Sequence, residues 1–182
     1  MISIISGTSR EGSIGRKVAG KVADMHEALG EEVNLIDLNA LPKGAFEPSA
    51  YGDKPAELSD GFVDSVLKSD GLVIVVPEYN GSYPGILKHF IDLLPFPESF
   101  DGRPVAFIGL AGGYYGGVRA VEQLQMIFAY RNAFLFNRRV FIPNSYTIFN
   151  DEGELKDADL QERLELQAST FQAFTKAIRS LS

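Results

Sequence analysis

The chain contains no cysteine in its 182 residues. That excludes disulfides, thiolate catalysis, cysteine-ligated zinc and iron–sulfur clusters together. Histidine is almost as scarce: His26 and His89 are the two copies, far apart, so a histidine-built metal site is not expected. Basic residues are in deficit, 17 Lys and Arg against 24 Asp and Glu, for a net charge of -7. A nucleic-acid partner usually demands a basic face, so none is expected. A phosphorylated ligand stays open, because a helix N-terminus holds phosphate without net positive charge. No apolar run approaches the roughly 20 residues needed to span a bilayer. The chain opens on the strand-like Ile2-Ser3-Ile4-Ile5 with no basic segment before an apolar run, which predicts a cytoplasmic protein without a leader. Two phosphate fingerprints are missing as well. There is no G-x-x-x-x-G-K-[ST], and with glycines at 7, 12 and 15 there is no G-x-G-x-x-G.

What remains is an ordinary apolar fraction of 45% arranged in a clear alternation. Strand-like runs fall at 1–6, 32–38, 71–76, 104–110 and 139–143, with helical spacing between them. Val18, Val22, Met25 and Leu29 mark one helix with Gly30 as its stop. Leu58, Phe62 and Val66 mark a second, residues 86–94 a third, and Val118, Val121, Leu124 and Phe128 a fourth. Leu160, Leu164, Ala168, Phe171, Phe174 and Ile178 form the stripe of the last. Strand–helix alternation predicts a doubly wound parallel sheet, and five strands ending in a helix favour the order 2-1-3-4-5 over the dinucleotide-type order. One domain spanning 1–182 accommodates this. The Pro- and Gly-rich stretch 39–57 reads either as a functional loop or as a surface excursion covering the sheet edge.

Ligands of open α/β sheets bind at the carboxyl ends of strands, and three loops there are rich in chemistry. The first, Gly7-Thr8-Ser9-Arg10-Glu11-Gly12-Ser13-Ile14-Gly15-Arg16, offers hydroxyls, two guanidinium groups and a helix start to an anion; the plainer alternative is a helix capped by Ser13. The second, Pro77-Glu78-Tyr79-Asn80-Gly81-Ser82-Tyr83-Pro84-Gly85, follows the apolar run Leu72–Val76. A planar ligand can lie on Tyr79 or Tyr83 there while amides near Asn80 and Gly81 meet its edge. The third places Tyr114 and Tyr115 among four glycines, between Gly112 and Gly117. Glu78 reads as a catalytic acid or, preferably, as a structural carboxylate. Asp37 reads as a ribose-binding acid or an exposed strand-end carboxylate, and His89 as a flank or interface residue. Phe90, Ile91, Leu93, Leu94, the Pro95-Phe96-Pro97 run and Tyr114–Tyr115 are expected to contribute to a subunit interface.

These residues resemble the NAD(P)H-dependent FMN reductases. Gly7-Thr8-Ser9-Arg10, Ser13 and Arg16-Lys17-Val18-Ala19 are similar to the opening motif of that family. Pro77-Glu78-Tyr79-Asn80-Gly81-Ser82-Tyr83-Pro84-Gly85-Ile86-Leu87-Lys88 is similar to its most specific one. Gly116-Gly117-Val118-Arg119-Ala120 and Phe149-Asn150-Asp151-Glu152-Gly153-Glu154-Leu155 follow in the family's order. The resemblance implies a flavodoxin-like three-layer sandwich, non-covalent FMN, NADPH or NADH as donor, and a homodimer or homotetramer. It places Thr8, Ser9, Arg10, Ser13, Ile14 and Gly15 at the FMN phosphate. Pro77, Glu78, Tyr79, Asn80 and Gly81 would line the ring, with Ala111, Gly112, Gly113 and Tyr114 as the opposing wall. Gly15 stands where the family often has asparagine, and Gly81-Ser82 replaces the common arginine-serine. No catalytic side chain is required, since the cofactor carries the chemistry. The acceptor expected is a small molecule: free flavin, a quinone, an azo compound or a metal oxyanion. A flavodoxin-like electron carrier and a flavin-binding sensor with little turnover are the alternatives.

Overall fold

The computed structural model describes residues 1–181. Six strands form one sheet: β1 (Ile2–Ser6), β2 (Val33–Asp37), β3 (Gly71–Pro77), β4 (Pro104–Leu110), β5 (Phe134–Leu135) and β6 (Val140–Ile142). All pairings are parallel, in the flavodoxin-like order β2-β1-β3-β4-β5 with β6 also on β4. Every residue of β1, β3 and β4 is buried. That is why these strands read as unbroken apolar runs rather than alternating ones. Edge strand β2 is mostly half-exposed.

Helices cover both faces, giving the three layers expected. On one side α1 (Ile14–Ala28) and α6 (Ala158–Arg179) pack Val18, Val22, Leu160, Leu164 and Phe171 onto Ile4, Val73, Val75 and Ile108. On the other, α2 (Ala56–Leu58), α3 (Asp64–Leu67), α4 (Gly85–Leu93) and α5 (Val118–Tyr130) pack Leu58, Val66, Leu87, Phe90 and Leu124 onto Ile5, Leu72, Ile74 and Phe107. A π-helical turn at Ser59–Val63 joins α2 to α3, so the single helix read from Leu58, Phe62 and Val66 is interrupted at Gly61. Among the described residues no helix is long and apolar enough to cross a membrane.

The fifth strand position differs from the sequence expectation. It is shared by β5, on the first residues of β4, and β6, on its last three. Between them the chain leaves the ladder, and Gln167 of α6 fills the gap: its Nε2 donates to Phe107 O (3.0 Å) and Arg138 O (2.6 Å). Gln167 and Thr175 thus share the buried face of α6 with Leu160, Leu164, Ala168 and Phe171, while Phe174 and Ile178 are only half-buried.

The stretch after β2 winds through three 3₁₀ turns that bury Leu38, Ala45 and Ala50 in the same cluster as Ile36 of the edge strand. His89 of α4 holds it: Nε2 is 2.8 Å from Ala45 O and the ring stacks on Phe46 at 4.9 Å. His89 is therefore an anchor within the subunit. Phe90, Ile91, Leu93 and Leu94, expected at a subunit interface, are instead buried in the chain's own core. The apolar end of α4 is apolar because it faces the sheet.

Candidate functional site

The carboxyl ends of β1, β3 and β4 bring the three loops to one edge of the sheet. Gly7 begins the first. Its amide donates to Val75 O at 2.9 Å, and a Cβ there would lie 2.8 Å from the same oxygen, so only glycine lets the loop cross β3 this closely. Thr8 is buried; its Oγ1 accepts from the Arg10 amide (3.1 Å) and bonds Tyr79 Oη (2.8 Å), tying the first loop to the second. Ser13 caps α1 by accepting from the Arg16 amide. Its hydroxyl hydrogen is still available to donate.

The donors left over face the cleft. Among the described residues the amides of Ser9, Glu11, Gly12, Ile14 and Gly15 meet no intrachain acceptor. Arg10 makes no ion pair among them, whereas Arg16 is engaged with Asp37 (2.8 Å). Of the two arginines read as phosphate ligands, Arg10 alone is uncommitted. Asp37, in turn, pairs with Arg16 and accepts from the Asn39 amide, as a strand-end carboxylate does.

In the second loop Tyr79 and Ser82 exchange backbone hydrogen bonds of 2.8 and 3.1 Å around Asn80 (φ 52°) and Gly81 (φ 77°). Two consecutive positive φ angles define a tight two-residue turn, for which Asn-Gly is the preferred pair. The turn leaves the Asn80 and Gly81 amides without an intrachain acceptor among the described residues. Tyr83, an aromatic face in the sequence reading, packs instead toward the core under α4 and α5.

The glycines of the third loop divide by role. Gly116 (φ 60°) and Gly117 (φ 86°) fold back onto the end of β4, and a Cβ at Gly116 would meet Ile142 N at 2.8 Å. Those two serve packing. Gly112 is on the other side, covered by the ring of Tyr146, with which a Cβ at this position would clash.

Two clefts sharing Arg10, Glu78 and Tyr79 result. One of about 310 Å³ is lined by Arg10, Ser13, Ile14 and Gly15 on one side and by Pro77, Glu78, Tyr79, Leu110, Ala111 and Gly112 on the other. The second, about 600 Å³, adds Thr8, Ser9, Asn80, Pro84 and Ile86. Gly81, Gly113 and Tyr114 line neither. Tyr114 is 83% exposed and its ring stands edge-on to Tyr115. Ser145 and Tyr146 complete the smaller cleft and were missed from sequence. They follow β6 at its carboxyl end, the same position that marks the other three loops, with the Ser145 amide donating to Ala111 O at 3.0 Å.

Free amides at a helix start, three hydroxyls and one uncommitted guanidinium suit a phosphate dianion. The free amides of the 79–82 turn suit the polar edge of a flat heterocycle, and the strip of Pro77, Tyr79, Leu110 and Ala111 suits its face. The donor set therefore fits FMN. No group of three or more metal-ligating side chains occurs among the described residues.

A family model described as NADPH-dependent FMN reductase matches residues 1–147. An NAD(P)H-dependent FMN reductase of Pseudomonas aeruginosa is 28% identical over 183 residues, covering 96% of this chain and 95% of that one. A quinone reductase of Escherichia coli is 29% identical over 184 residues, covering 95% and 94%. Among solved structures, a flavoenzyme NAD(P)H:(acceptor) oxidoreductase from Paracoccus denitrificans superposes with a TM-score of 0.81 at 23% identity, covering 97% of both chains, and has the same fold.

Proposed function

The chain belongs to the NADPH-dependent FMN reductase family, and from that premise we propose how its residues hold FMN and which acceptor it serves. The activity is that of an FMN-dependent NAD(P)H oxidoreductase. The phosphate is held by the hydroxyls of Thr8, Ser9 and Ser13, by Arg10, and by the amides of Ile14 and Gly15 at the start of α1. The ring would lie along Pro77, Glu78, Tyr79 and Asn80, with the Gly81 amide at its edge, Ala111 and Gly112 opposite and Tyr146 at the rim; Gly113 and the exposed Tyr114 stand outside the clefts. When bound, FMN supplies the hydride-accepting and electron-releasing chemistry. The residues of this chain orient it: the Thr8–Tyr79 bond fixes the distance between phosphate loop and ring loop, and the turn amides at 80 and 81 donate to the ring's polar edge. No side chain is asked to move a proton.

The observation that carries this reading is the convergence of uncommitted donors at the ends of β1 and β3, joined across the cleft by the Thr8–Tyr79 bond. Quinones are the proposed acceptor class. The quinone reductase of E. coli supports this, as does a shallow cleft that a flat, uncharged ring can enter after the nicotinamide leaves. Residues 1–182 act as one FMN-binding domain. A reduced-nicotinamide donor favours a cytoplasmic setting.

A homo-oligomer, dimer or tetramer, is also proposed. Its support is a groove of about 540 Å³ between α4 and α5, lined by Met126, Tyr130 and Arg131, with Met126 72% and Tyr130 78% exposed. Exposed apolar side chains grouped along one groove mark interaction sites. Titrating the apoprotein with FMN and following flavin fluorescence tests the binding reading; saturable quenching at one FMN per chain is expected, and unquenched fluorescence overturns it.

A further inference from the structure

Arg119 and Gln123 stand four residues apart on α5, so their side chains leave one face of that helix. Both reach the loop after β3. Gln123 Oε1 accepts from Ser82 Oγ at 2.6 Å and its Nε2 donates to Gly81 O at 3.2 Å. These neutral bonds secure the turn. Arg119 does something different: Nη1 lies 3.2 Å from Glu78 Oε1, and the guanidinium sits 4.5 Å above the Tyr115 ring.

The charges of this pair are unequally solvated. The Glu78 side chain is 11% exposed and that of Arg119 51%. Glu78 Oε2 is buried with no partner among the described residues. A carboxylate that lines both clefts is thus neutralised on one oxygen by a half-solvated cation, and on the other by nothing. A half-satisfied buried charge is costly to keep. Nothing in the fold requires it, since Glu78 is held in place by its own amide, which donates to Leu110 O at 2.8 Å. Charge near a flavin ring is one of the means by which a protein sets the ring's electron affinity.

We infer that Arg119 is a positioning residue which, through the Glu78 carboxylate, sets how strongly the site favours reduced over oxidised FMN. The inference rests on FMN occupying the joined clefts. When bound, FMN would supply the hydride-accepting chemistry, taking two electrons and one proton from a dihydronicotinamide that would leave as its oxidised cation, so the reduced form would carry one more negative charge than the oxidised form until protonated. Glu78 opposes that charge, and Arg119 offsets Glu78. Removing the arginine leaves the carboxylate's field unopposed; removing both leaves none.

The test measures dissociation constants of oxidised and of chemically reduced FMN for the wild type, Arg119→Gln, Arg119→Lys, Glu78→Gln and the double variant Glu78→Gln/Arg119→Gln. The ratio of reduced to oxidised constants rises on the order of tenfold in Arg119→Gln, equivalent to about 30 mV in a two-electron potential. It falls in Glu78→Gln, returns to within about twofold of wild type in the double variant, and stays near wild type in Arg119→Lys. Thermal unfolding of each apoprotein checks folding; should Arg119→Gln misfold, the fall in Glu78→Gln and its reversal in the double variant still decide the sign. If Arg119→Gln weakens both redox forms equally, the residue is a structural prop and the inference falls while the FMN reading stands. If the wild type binds FMN in neither form, both fall together.

Discussion

Thr8 and Tyr79 lie 71 residues apart in sequence and 2.8 Å apart at their hydroxyls. That bond concerns a cleft whose other donors all come from single short loops. Replacing Tyr79 with Phe keeps the ring and removes the link, so FMN binding should weaken by about 0.5–1.5 kcal/mol, the net worth of a neutral hydrogen bond. Arg10→Ala removes a charged donor and should cost about 1.5–3 kcal/mol of FMN affinity. Fluorescence titration of each variant checks both. Unchanged affinity in Arg10→Ala would remove Arg10 from the phosphate site. The phosphate loop was legible because its donors sit within nine residues and need only a strand before them and a helix after. Arg16, the second guanidinium of that loop, pairs with Asp37 from the neighbouring strand, and no local pattern announces that pairing. Tyr146 was missed for a related reason. Its approach to Gly112 is a contact between loops more than thirty residues apart, and the only available signal was its position just beyond a strand end.

Helices and strands fail or hold for reasons that single residues do not show. The two-residue β5 carries no periodicity to detect, and the break between β5 and β6 is sustained by Gln167, which looks like a surface residue in a helical stripe. Gln167→Leu would leave the Phe107 and Arg138 carbonyls without that donor. It should destabilise the fold by about 1–3 kcal/mol, the cost of a buried group left unsatisfied; equilibrium urea denaturation measures it. The α1–α6 pair holds a second device. His26 is 1% exposed, lies edge-on to Phe171, and burial lowers its pKa from 6.5 to about 4, against a smaller opposing pull from Glu31. Between those two values the unfolded chain binds the proton and the folded chain does not. Stability therefore declines as pH falls from about 6.5 toward 4, by up to about 3 kcal/mol, and changes no further through this group below 4. Denaturation curves of the wild type and His26→Asn across that window should converge as pH falls. Parallel curves would show that His26 does not titrate this way.

Across the whole molecule, the layers followed from strand–helix alternation, because apolar runs buried on both faces need helices on both sides, and the order 2-1-3-4-5 followed from the count of strands before a final helix. The expected association surface divides: Phe96, Tyr114 and Tyr115 are exposed, while Phe90, Ile91, Leu93 and Leu94 are not. A run such as Phe90–Leu94 is apolar whether it meets its own sheet or a second subunit, and here it meets its own sheet. The exposed Met126 and Tyr130 beside the α4–α5 groove take over that expectation, and sedimentation of the wild type and of Met126→Glu should show the variant shifted to smaller species. The central claim is that the three converging loops hold FMN so that a nicotinamide can reduce it. Anaerobic stopped-flow mixing of the FMN-loaded protein with NADPH, and separately with NADH, tests it most directly. Rapid bleaching of the flavin absorbance with no other protein present is the predicted result. A flavin that stays oxidised with both donors, and bleaches only when a separate reductase is added, would contradict it.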